Sequence, residues 1–507
     1  NYYIDFKKSI DKINKIIDDK FFKNKFNYAS KRFIIVEPHL IAFNLFVKSL
    51  TLQKIINNHP SKEIVLKIFD EETEQIELDR FTNHYFLLAK KIGNPFKIIN
   101  KGKINITYNN NPSTKNQLLN ILNFSYKILF FELKKRIFKN LFKKKILKIG
   151  QNYITREIEY ELYKKGIGMI SKKNDLKKFF ETELKIELHK YDYIKTIIEI
   201  VYSNTNNLKN KYFSNQKVYE GLVEVLSDLI NINLVNLLSK KDSMRERIAY
   251  LKKKLDYKIC LSNGLYGIFG KSLYDALHFN GVKVFSAEHG LTAGNSKDAI
   301  QSFYVNESLT SDVLFCYSNS SKKTRLKNKN SNLSIFVAGC PNFPKKIRFK
   351  KLKKFLVKKR LNLKGINIFY VSHNIEFNTE KYFPYTKSNS QIFNDELNLL
   401  SILGKINKNV IYKPYPTKQF LYDKFSLIKN YLSNYNNIKA FYGEEDYRYI
   451  RSASDIIITQ SSESTLEWCM GVDVPLIFLD SNYYEPLEND SVKKIFRESF
   501  FVLIMSP

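Results

Sequence analysis

The stretch from Ser454 to Asp480, SDIIITQSSESTLEWCMGVDVPLIFLD, constrains the fold more than any other part of the chain. An apolar run (Ile456, Ile457, Ile458) reads as a buried strand, and a hydroxyl-rich turn follows it from Thr459 to Thr465. A short helix is expected over Leu466 to Met470, then a stop at Gly471, then a second apolar strand, Leu476 to Leu479, after Pro475. Strand, helix and strand in that order belong to a parallel α/β sheet. The small polar residues leave backbone N–H groups unpaired at the helix start, where those donors and the helix dipole favour an anion. Ligands of open parallel sheets sit outside the carboxyl ends of the strands, where this turn lies. The segment therefore predicts an α/β unit that grips a phosphate or carboxylate. The alternative is a plain βα turn with a serine N-cap.

The same alternation recurs upstream. Tyr257–Leu261 reads as a strand, Ser262-Asn263-Gly264 as a turn, Ile268–Phe279 as a helix stopped by Gly281, and Val282–Ala287 as a strand running into Glu288-His289-Gly290. Val313–Tyr317 and Ile335–Ala338 follow as strands. After a basic segment the pattern restarts with strands at Ile366–Ser372, Asn409–Lys413 and Ile438–Tyr442, and helices at Asp395–Leu403 and Asp446–Ser454. Two such units predict two α/β domains, 1–345 and 346–507, with a ligand site in the cleft between them. In the first 255 residues, strands are expected at Arg32–Glu37, Glu63–Phe69 and Ile146–Ile149 and a helix over Leu40–Ile56; residues of about 75–255 read as a mostly helical insertion.

A net charge of +33 over 507 residues calls for an account, and nucleic-acid binding is one. The lysines are spread along the whole chain among many Asn, Ile, Tyr and Phe, the bias of an AT-rich coding sequence, with no recognised nucleic-acid motif and no tight basic stripe. Two denser clusters, Lys134–Lys148 and Lys345–Arg360, mix bases with apolar residues at roughly helical spacing. Each reads as a solvated amphipathic helix face or as a contact with an anionic membrane or a lipid-linked acceptor. No apolar run reaches eighteen residues, so no membrane-spanning helix is expected, and the charged start shows no secretory signal. The chain does not begin with Met and stops at FFVLIMSP, which leaves room for further chain at both ends. Cys260, Cys316, Cys340 and Cys469 lie far apart without CxxC spacing and read as buried free thiols of a reducing cytosol; seven scattered histidines show no HExxH, and no metal site is expected.

Four clusters carry residues fit for chemistry. Glu288-His289-Gly290 ends a strand beside a glycine that permits a sharp turn. A carboxylate or imidazole there can deprotonate an acceptor hydroxyl, and histidine has the better ordinary pKa for that at neutral pH. Thr292 and Gly294 extend that turn. Lys413-Pro414-Tyr415-Pro416 ends another strand, where Lys413 can neutralise a phosphate and Tyr415 can stack on a base or bond a phosphate oxygen. Asn263 and Gly264, with His373 after the first strand of the second unit, are expected to line the cleft together with Gly290. Ser461, Ser462, Ser464 and Thr465 form the anion turn, and Glu467 in the following helix can reach a ribose hydroxyl. Glu444, Glu445 and Asp446 read as favourable charges at a helix start rather than as metal ligands.

These pieces together resemble the GT-B glycosyltransferases of bacterial surface polysaccharides, nearest to the capsule Kdo-transferase and CDP-glycerol glycerophosphotransferase groups. The matching residues are His289-Gly290, Lys413-Pro414-Tyr415-Pro416 and Ser461-Ser462 with Gly471 and Pro475; Phe336–Pro341 (FVAGCP) looks like the strand and turn before the interdomain linker. Tyr415 stands where the family usually has a phosphate-binding histidine, and Gly471 and Pro475 are spaced more widely than the family's Gly-x-Pro. The resemblance covers roughly residues 255–480. It implies two Rossmann-like domains facing a cleft, and transfer of a sugar or polyol phosphate from a nucleotide-activated donor, CMP- or CDP-linked, to a glycan or lipid-linked acceptor. It further implies no bound metal or cofactor; the cysteines, the charge spread and the basic clusters add a cytoplasmic place, contact with the inner face of an anionic membrane, and no nucleic-acid partner. His289 or Glu288 would be the base, and Lys413 with the 462–465 turn would hold the departing phosphate. The alternatives are a nucleotide-sugar epimerase, an inactive scaffold of polysaccharide assembly, and a nucleic-acid binder.

Overall fold

The computed structural model describes residues 2–17, 36–60, 62–68, 84–100, 144–150, 152–187, 194–290, 295, 307–326, 333–339, 350–372, 389–414, 428, 430–441, 447–462, 464–480, 487 and 489–504. The chain opens with helices α1 (Tyr2–Ile17) and α2 (Val36–Asn58), strand β1 (Ile64–Ile68), α3 (His84–Ile92) and β2 (Phe96–Asn100), with β1 and β2 pairing in parallel. Then come β3 (Lys144–Ile149), α4 (Tyr153–Lys164), β4 (Ile167–Ser171), α5 (Lys173–Glu187), α6 (Ile194–Tyr212) and α7 (Gln216–Leu255).

α7 is forty residues long, about 60 Å at 1.5 Å per residue. Its apolar positions recur at helical spacing, and two different cores use them. Val218, Leu222, Leu226 and Leu229 pack with α1, α2, α3 and α6, whereas Met244, Ile248 and Leu251 pack against the first large sheet. Asn215 caps its start by accepting from Val218 N, and Asp256 ends it in the left-handed conformation (φ 44°). One helix thus ties the N-terminal helical layer to the sheet that follows.

That sheet is completed by β5 (Tyr257–Ser262), α8 (Gly267–Phe279), β6 (Lys283–Ala287), β7 (Val313–Cys316), α9 (Asn319–Leu326) and β8 (Ser334–Val337). Its order is β4-β3-β5-β6-β7-β8, every pair parallel. The second unit comprises α10 (Lys350–Arg360), β9 (Asn367–Val371), α11 (Asn389–Gly404), β10 (Asn409–Lys413), β11 (Ile438–Ala440), α12 (Tyr447–Ile450), β12 (Ile456–Thr459), α13 (Ser464–Met470), β13 (Leu476–Asp480), α14 (Asp490–Ser499) and β14 (Phe501–Ile504). Its order is β11-β10-β9-β12-β13-β14, again parallel throughout. Successive residues of a strand point to opposite faces. Phe369 and Val371 of β9 accordingly join the core under α10, α13 and α14, while Ile368 and Tyr370 join the core under α11. Both sheets are buried on two faces, as parallel sheets require. The chain is an α/β protein with two Rossmann-like units and a large helical N-terminal layer.

Several sequence expectations change. The strand expected at Ile146–Ile149 is present as β3, but among the described residues of about 75–255 two further strands, β2 and β4, interrupt the helical reading. Gly93 (φ 68°) and Gly166 (φ 73°) stop α3 and α4, and β2 and β4 begin within three residues of them. The helical reading undervalued that punctuation. Lys144–Lys148 of the first basic cluster lie in β3, not on an amphipathic helix, and Lys148 is buried against Glu159 at 2.6 Å. The rest of that cluster lies outside the described residues. Val36 and Glu37 open α2 instead of closing a strand, with Pro38 in the first helical turn, where its missing N–H costs no hydrogen bond; Arg32–Ile35 lie outside the described residues. β14 adds an edge strand that the sequence reading did not contain. Cys260, Cys316 and Cys469 are buried free thiols, and Cys340 is not among the described residues. No helix among the described residues is long and apolar enough to cross a membrane.

α10 is fixed to the second sheet by charge. Lys354 Nζ and Lys358 Nζ donate to Asp455 at 2.5 and 2.7 Å, and Asn367 N donates to the same carboxylate at 2.9 Å. Burial alone would raise the Asp455 pKa, but these three donors outweigh it and bring it down to about 2. In an unfolded chain it is about 3.9. The stabilisation is therefore complete above the unfolded value and is lost as pH falls toward the folded one. Denaturant melts of the wild type and Asp455→Asn should differ at neutral pH, and that gap should close between about pH 4 and pH 2. A gap that persists unchanged at pH 2 would contradict the pairing.

Candidate functional site

In an open α/β sheet the crevice opens where neighbouring strands send their crossovers to opposite faces. In the second sheet that point lies between β9 and β12, and in the first between β3 and β5. The described residues just past those four strand ends are Ser372, Gln460–Ser462, Gly150 with Asn152, and Asn263–Gly264. Two of the four carry residues singled out from sequence, and Ser372 directly precedes a third, His373.

At the first crevice the loops are tightly locked. Gly150 has φ 84°, and a Cβ on it would lie 1.8 Å from Asn263 Oδ1, so only glycine allows this approach. Asn152 caps α4 through a reciprocal pair with Thr155, its side chain accepting from Thr155 N at 2.9 Å while Thr155 Oγ1 accepts from Asn152 N at 2.7 Å. The Asn152 amide also donates to Glu288 O at 2.7 Å, tying the end of β3 to the end of β6.

Glu288 is fully buried, with both carboxylate oxygens occupied. Tyr317 N donates at 2.9 Å, Ser321 Oγ at 2.7 Å and Arg325 Nη2 at 3.3 Å. Arg325 Nη2 also donates to Glu307, and Arg325 Nη1 donates to Ser308 Oγ at 3.1 Å. Glu307 Oε1 in turn accepts from His289 N at 2.8 Å and lies 3.2 Å from the Tyr266 hydroxyl. Two carboxylates thus flank one guanidinium in a fully buried triad. Burial raises the pKa of both Glu288 and Glu307, and the Arg325 charge works against that rise. Burial opposes the charge on Arg325, but Glu307 and Glu288 outweigh it and raise its pKa. His289 is exposed, its ring set edge-on to Tyr266 with centroids 6.0 Å apart. Glu288 therefore faces the triad and His289 faces solvent, held through its own backbone N–H. Gly290 is buried beside it.

At the second crevice, Ser461 and Ser462 are buried, and Ser461 N donates to Thr459 Oγ1 at 3.2 Å. Thr459 Oγ1 donates to Val371 O at 3.0 Å and Gln460 Nε2 to the Tyr370 hydroxyl at 2.9 Å, so the turn is braced on β9 from both sides. Beneath it, the buried carboxylate of Glu396 accepts from the hydroxyls of Tyr370, Tyr412 (2.8 Å) and Ser372 (2.5 Å). Burial first, then the Glu396 charge, pushes both tyrosine hydroxyls well above their ordinary pKa, so they stay protonated donors. Lys413 is buried at the end of β10 with Nζ 5.4 Å from the Phe441 ring centre. Ser464 begins α13, Thr465 is half-buried, and Glu467 is 6% exposed in its first turn. With seven residues, α13 has a short dipole, so an anion at this turn depends mainly on local N–H groups.

A hydrogen bond links the two units. Asn295 Nδ2, in the loop beyond Gly290, lies 3.5 Å from Ser462 O. This contact sets Asn295, in the stretch after β6, beside the Ser461-Ser462 turn. His373, Tyr415, Thr292, Gly294 and the acids 444–446 lie outside the described residues. Among the described residues, no three His, Cys, Asp or Glu side chains gather as a metal site.

Sequence reasoning missed Glu307, Arg325, Asn152, Asn295 and Glu396. Asn152 had a signal, the Asn-x-x-Thr spacing of a capping box before a helical run. Glu307 and Arg325 are eighteen residues apart with no spacing motif and become partners only in the fold.

No family model matches the chain, and no curated protein matches it. Among solved structures it is similar to a glycosyltransferase from Rickettsia africae ESF-5, at 13% identity over 72% of this chain and 84% of that one, with a TM-score of 0.40. It is also similar to a UDP-GlcNAc 2-epimerase from Methanocaldococcus jannaschii in complex with UDP-GlcNAc and UDP, at 16% identity over 72% and 88%, with a TM-score of 0.40. A UDP-GlcNAc 2-epimerase from Neisseria meningitidis bound to UDP-GlcNAc matches at 13% identity over 69% and 84%, with a TM-score of 0.39. Likeness at that level says nothing of what this chain does.

Removing the guanidinium of the triad leaves two buried carboxylates facing each other. Arg325→Ala should lower stability by about 3–5 kcal/mol in denaturant melts. Arg325→Lys should not restore it, because an ammonium lacks the planar fork. A variant as stable as the wild type would contradict the triad.

Proposed function

We propose that this chain is a GT-B glycosyltransferase, moving a sugar or polyol phosphate from a nucleotide-activated donor to a surface-polysaccharide or lipid-linked glycan acceptor. The observation that carries the reading is the common cleft: an exposed histidine at the edge of one Rossmann-like sheet and a braced serine turn at the edge of the other, joined through Asn295 and Ser462. A two-substrate transfer needs such a pair, a base for the acceptor hydroxyl on one side and an anion grip for the leaving nucleotide on the other.

In this reading His289 takes the proton from the acceptor hydroxyl as its oxygen attacks the activated carbon or phosphorus, and the bond to the nucleotide phosphate breaks. Glu288 acts through the triad, fixing the loop that presents His289, and is a positioning residue rather than the base. The departing phosphate is received by N–H groups of the 461–465 turn and by Lys413, and Tyr415 is assigned to the same phosphate. Charge that develops on the leaving oxygens is thereby met by donors already in place, with no metal required. Glu467 is assigned to a ribose hydroxyl, and Asn263, Gly264, Gly290 and His373 to the cleft walls. A cytosine nucleotide, CMP or CDP, is the assigned donor carrier, and the chain is placed in the cytoplasm.

The test pairs turnover with binding. His289→Ala should lose about a hundredfold to ten-thousandfold in transfer while donor binding by calorimetry stays unchanged. Near-normal turnover in that variant would sink the base assignment. Conversion of a nucleotide-sugar to its epimer with no acceptor present would replace the transferase reading with an epimerase.

A further inference from the structure

The second basic cluster has a role that the cleft does not use. Lys354 and Lys358 of α10 turn inward to Asp455, and Val357 is buried in the core of the second sheet. Those three positions fix the helix's rotation about its axis. The opposite, outer face carries Leu352, Phe355 and Lys359, at the three-, four- and seven-residue offsets that share a helix face, with exposed Lys351 at the edge of that face. Leu352 is 54% exposed and Phe355 60% exposed, large apolar side chains set between two exposed lysines.

The fold brings more of the same to this end of the sheet. Lys358 Nζ donates to Gly365 O at 2.9 Å, Lys439 Nζ to Leu361 O at 2.8 Å, and Asn409 Nδ2 to Lys364 O at 2.7 Å. The turn after α10 is thereby stitched to the starts of β10 and β11. That places exposed Lys364 and Ile366, the latter 50% exposed, beside exposed Lys408 and Lys439. No Asp or Glu occurs from Lys345 to Asn367, and Asp455 is already held by two lysines. The amino-acid sequence shows no tight basic stripe; the fold assembles a basic rim around three protruding apolar side chains.

We propose that this amino-terminal end of the second sheet docks the protein on an anionic lipid bilayer, with Leu352, Phe355 and Ile366 entering the headgroup region and Lys351, Lys359 and Lys364 paired with lipid phosphates. The mixture of features selects the partner. Protruding Leu352 and Ile366 find no use on a nucleic-acid backbone, whereas an apolar wedge of these two with Phe355, ringed by lysines, matches the interface of an acidic membrane. The strands run about 17 Å from this end to the cleft, at roughly 3.3 Å per residue, so docking leaves the cleft uncovered. The inference does not depend on the transferase reading, because vesicle binding is measured without turnover.

The experiment is co-sedimentation of the full chain with vesicles made of equal parts phosphatidylglycerol and phosphatidylcholine, and with vesicles of phosphatidylcholine alone. Binding to the first and not the second is expected, weakening as salt is added. Leu352→Glu combined with Phe355→Glu should cut it by at least about tenfold. Replacing Lys351, Lys359 and Lys364 by Ala should cost about fivefold each. Both sets of residues are exposed, and an unchanged melting temperature would show that the variants remain folded. Failure of the wild type to bind acidic vesicles overturns the proposal. So does equal binding to both vesicle types, or a double variant that binds as the wild type does. Tight binding of an oligonucleotide in place of vesicles, unaffected by the Leu352 and Phe355 changes, overturns it in favour of a nucleic-acid surface.

Discussion

A parallel strand cannot be reached by a tight turn. The chain must cross over the sheet between strands, and each crossover lays a helix on one face or the other. Where the order of strands reverses, two crossovers leave in opposite directions and a crevice stays open at the carboxyl edge. Both sheets here have one reversal, beside β3 in the first and beside β9 in the second. Everything assigned to the cleft lies near those edges: Gly150 and Asn263 on one, Ser372 and Ser461-Ser462 on the other, with His289 on an adjoining strand end. The position of each crevice is thus a consequence of topology before any side chain is considered.

Side chains then make the edges rigid, and the two edges use different means. The first is braced by buried charge, Glu288, Arg325 and Glu307, which holds the His289 backbone while leaving its ring in solvent. The second is braced by neutral hydroxyls around the single carboxylate of Glu396. A buried ion triad adds little net stability over an apolar replacement, but losing one member is costly. Such a device suits a place where geometry matters more than stability. Hydrophobic packing on both faces of each sheet supplies the stability, at about 1.5–3 kcal/mol for each fully buried Leu, Ile, Val or Phe.

Much of this was legible in the sequence, for a physical reason. Strands buried on both faces read as unbroken apolar runs, so Ile456–Ile458 and Leu476–Leu479 were plain. β2 and β4 were hidden because each is only five residues long and follows a helix with little but a glycine to mark the change. The pairing of Glu288 with His289 as alternative bases was a question that local sequence leaves open. In the fold, Glu288 falls on the same side of its strand as Val284 and Ser286, all buried, and His289 falls on the other. The triad partners and the Asn295 contact depend on long-range closure, which leaves no local pattern. The basic rim was invisible for the same reason: Lys364, Lys408 and Lys439 are distant in sequence and meet only where three strands begin.

The account stands or falls on whether the two crevices form one nucleotide site. Hydrogen–deuterium exchange of the full chain, with and without saturating CMP, CDP, UDP, GDP or ADP, tests that most directly. With one of these nucleotides, protection should rise at residues 459–462 and at the loop after β6, while α1, α2 and α3 exchange as before. No change at either loop with any of the five, in a sample whose exchange shows it to be folded, would contradict a nucleotide-binding cleft.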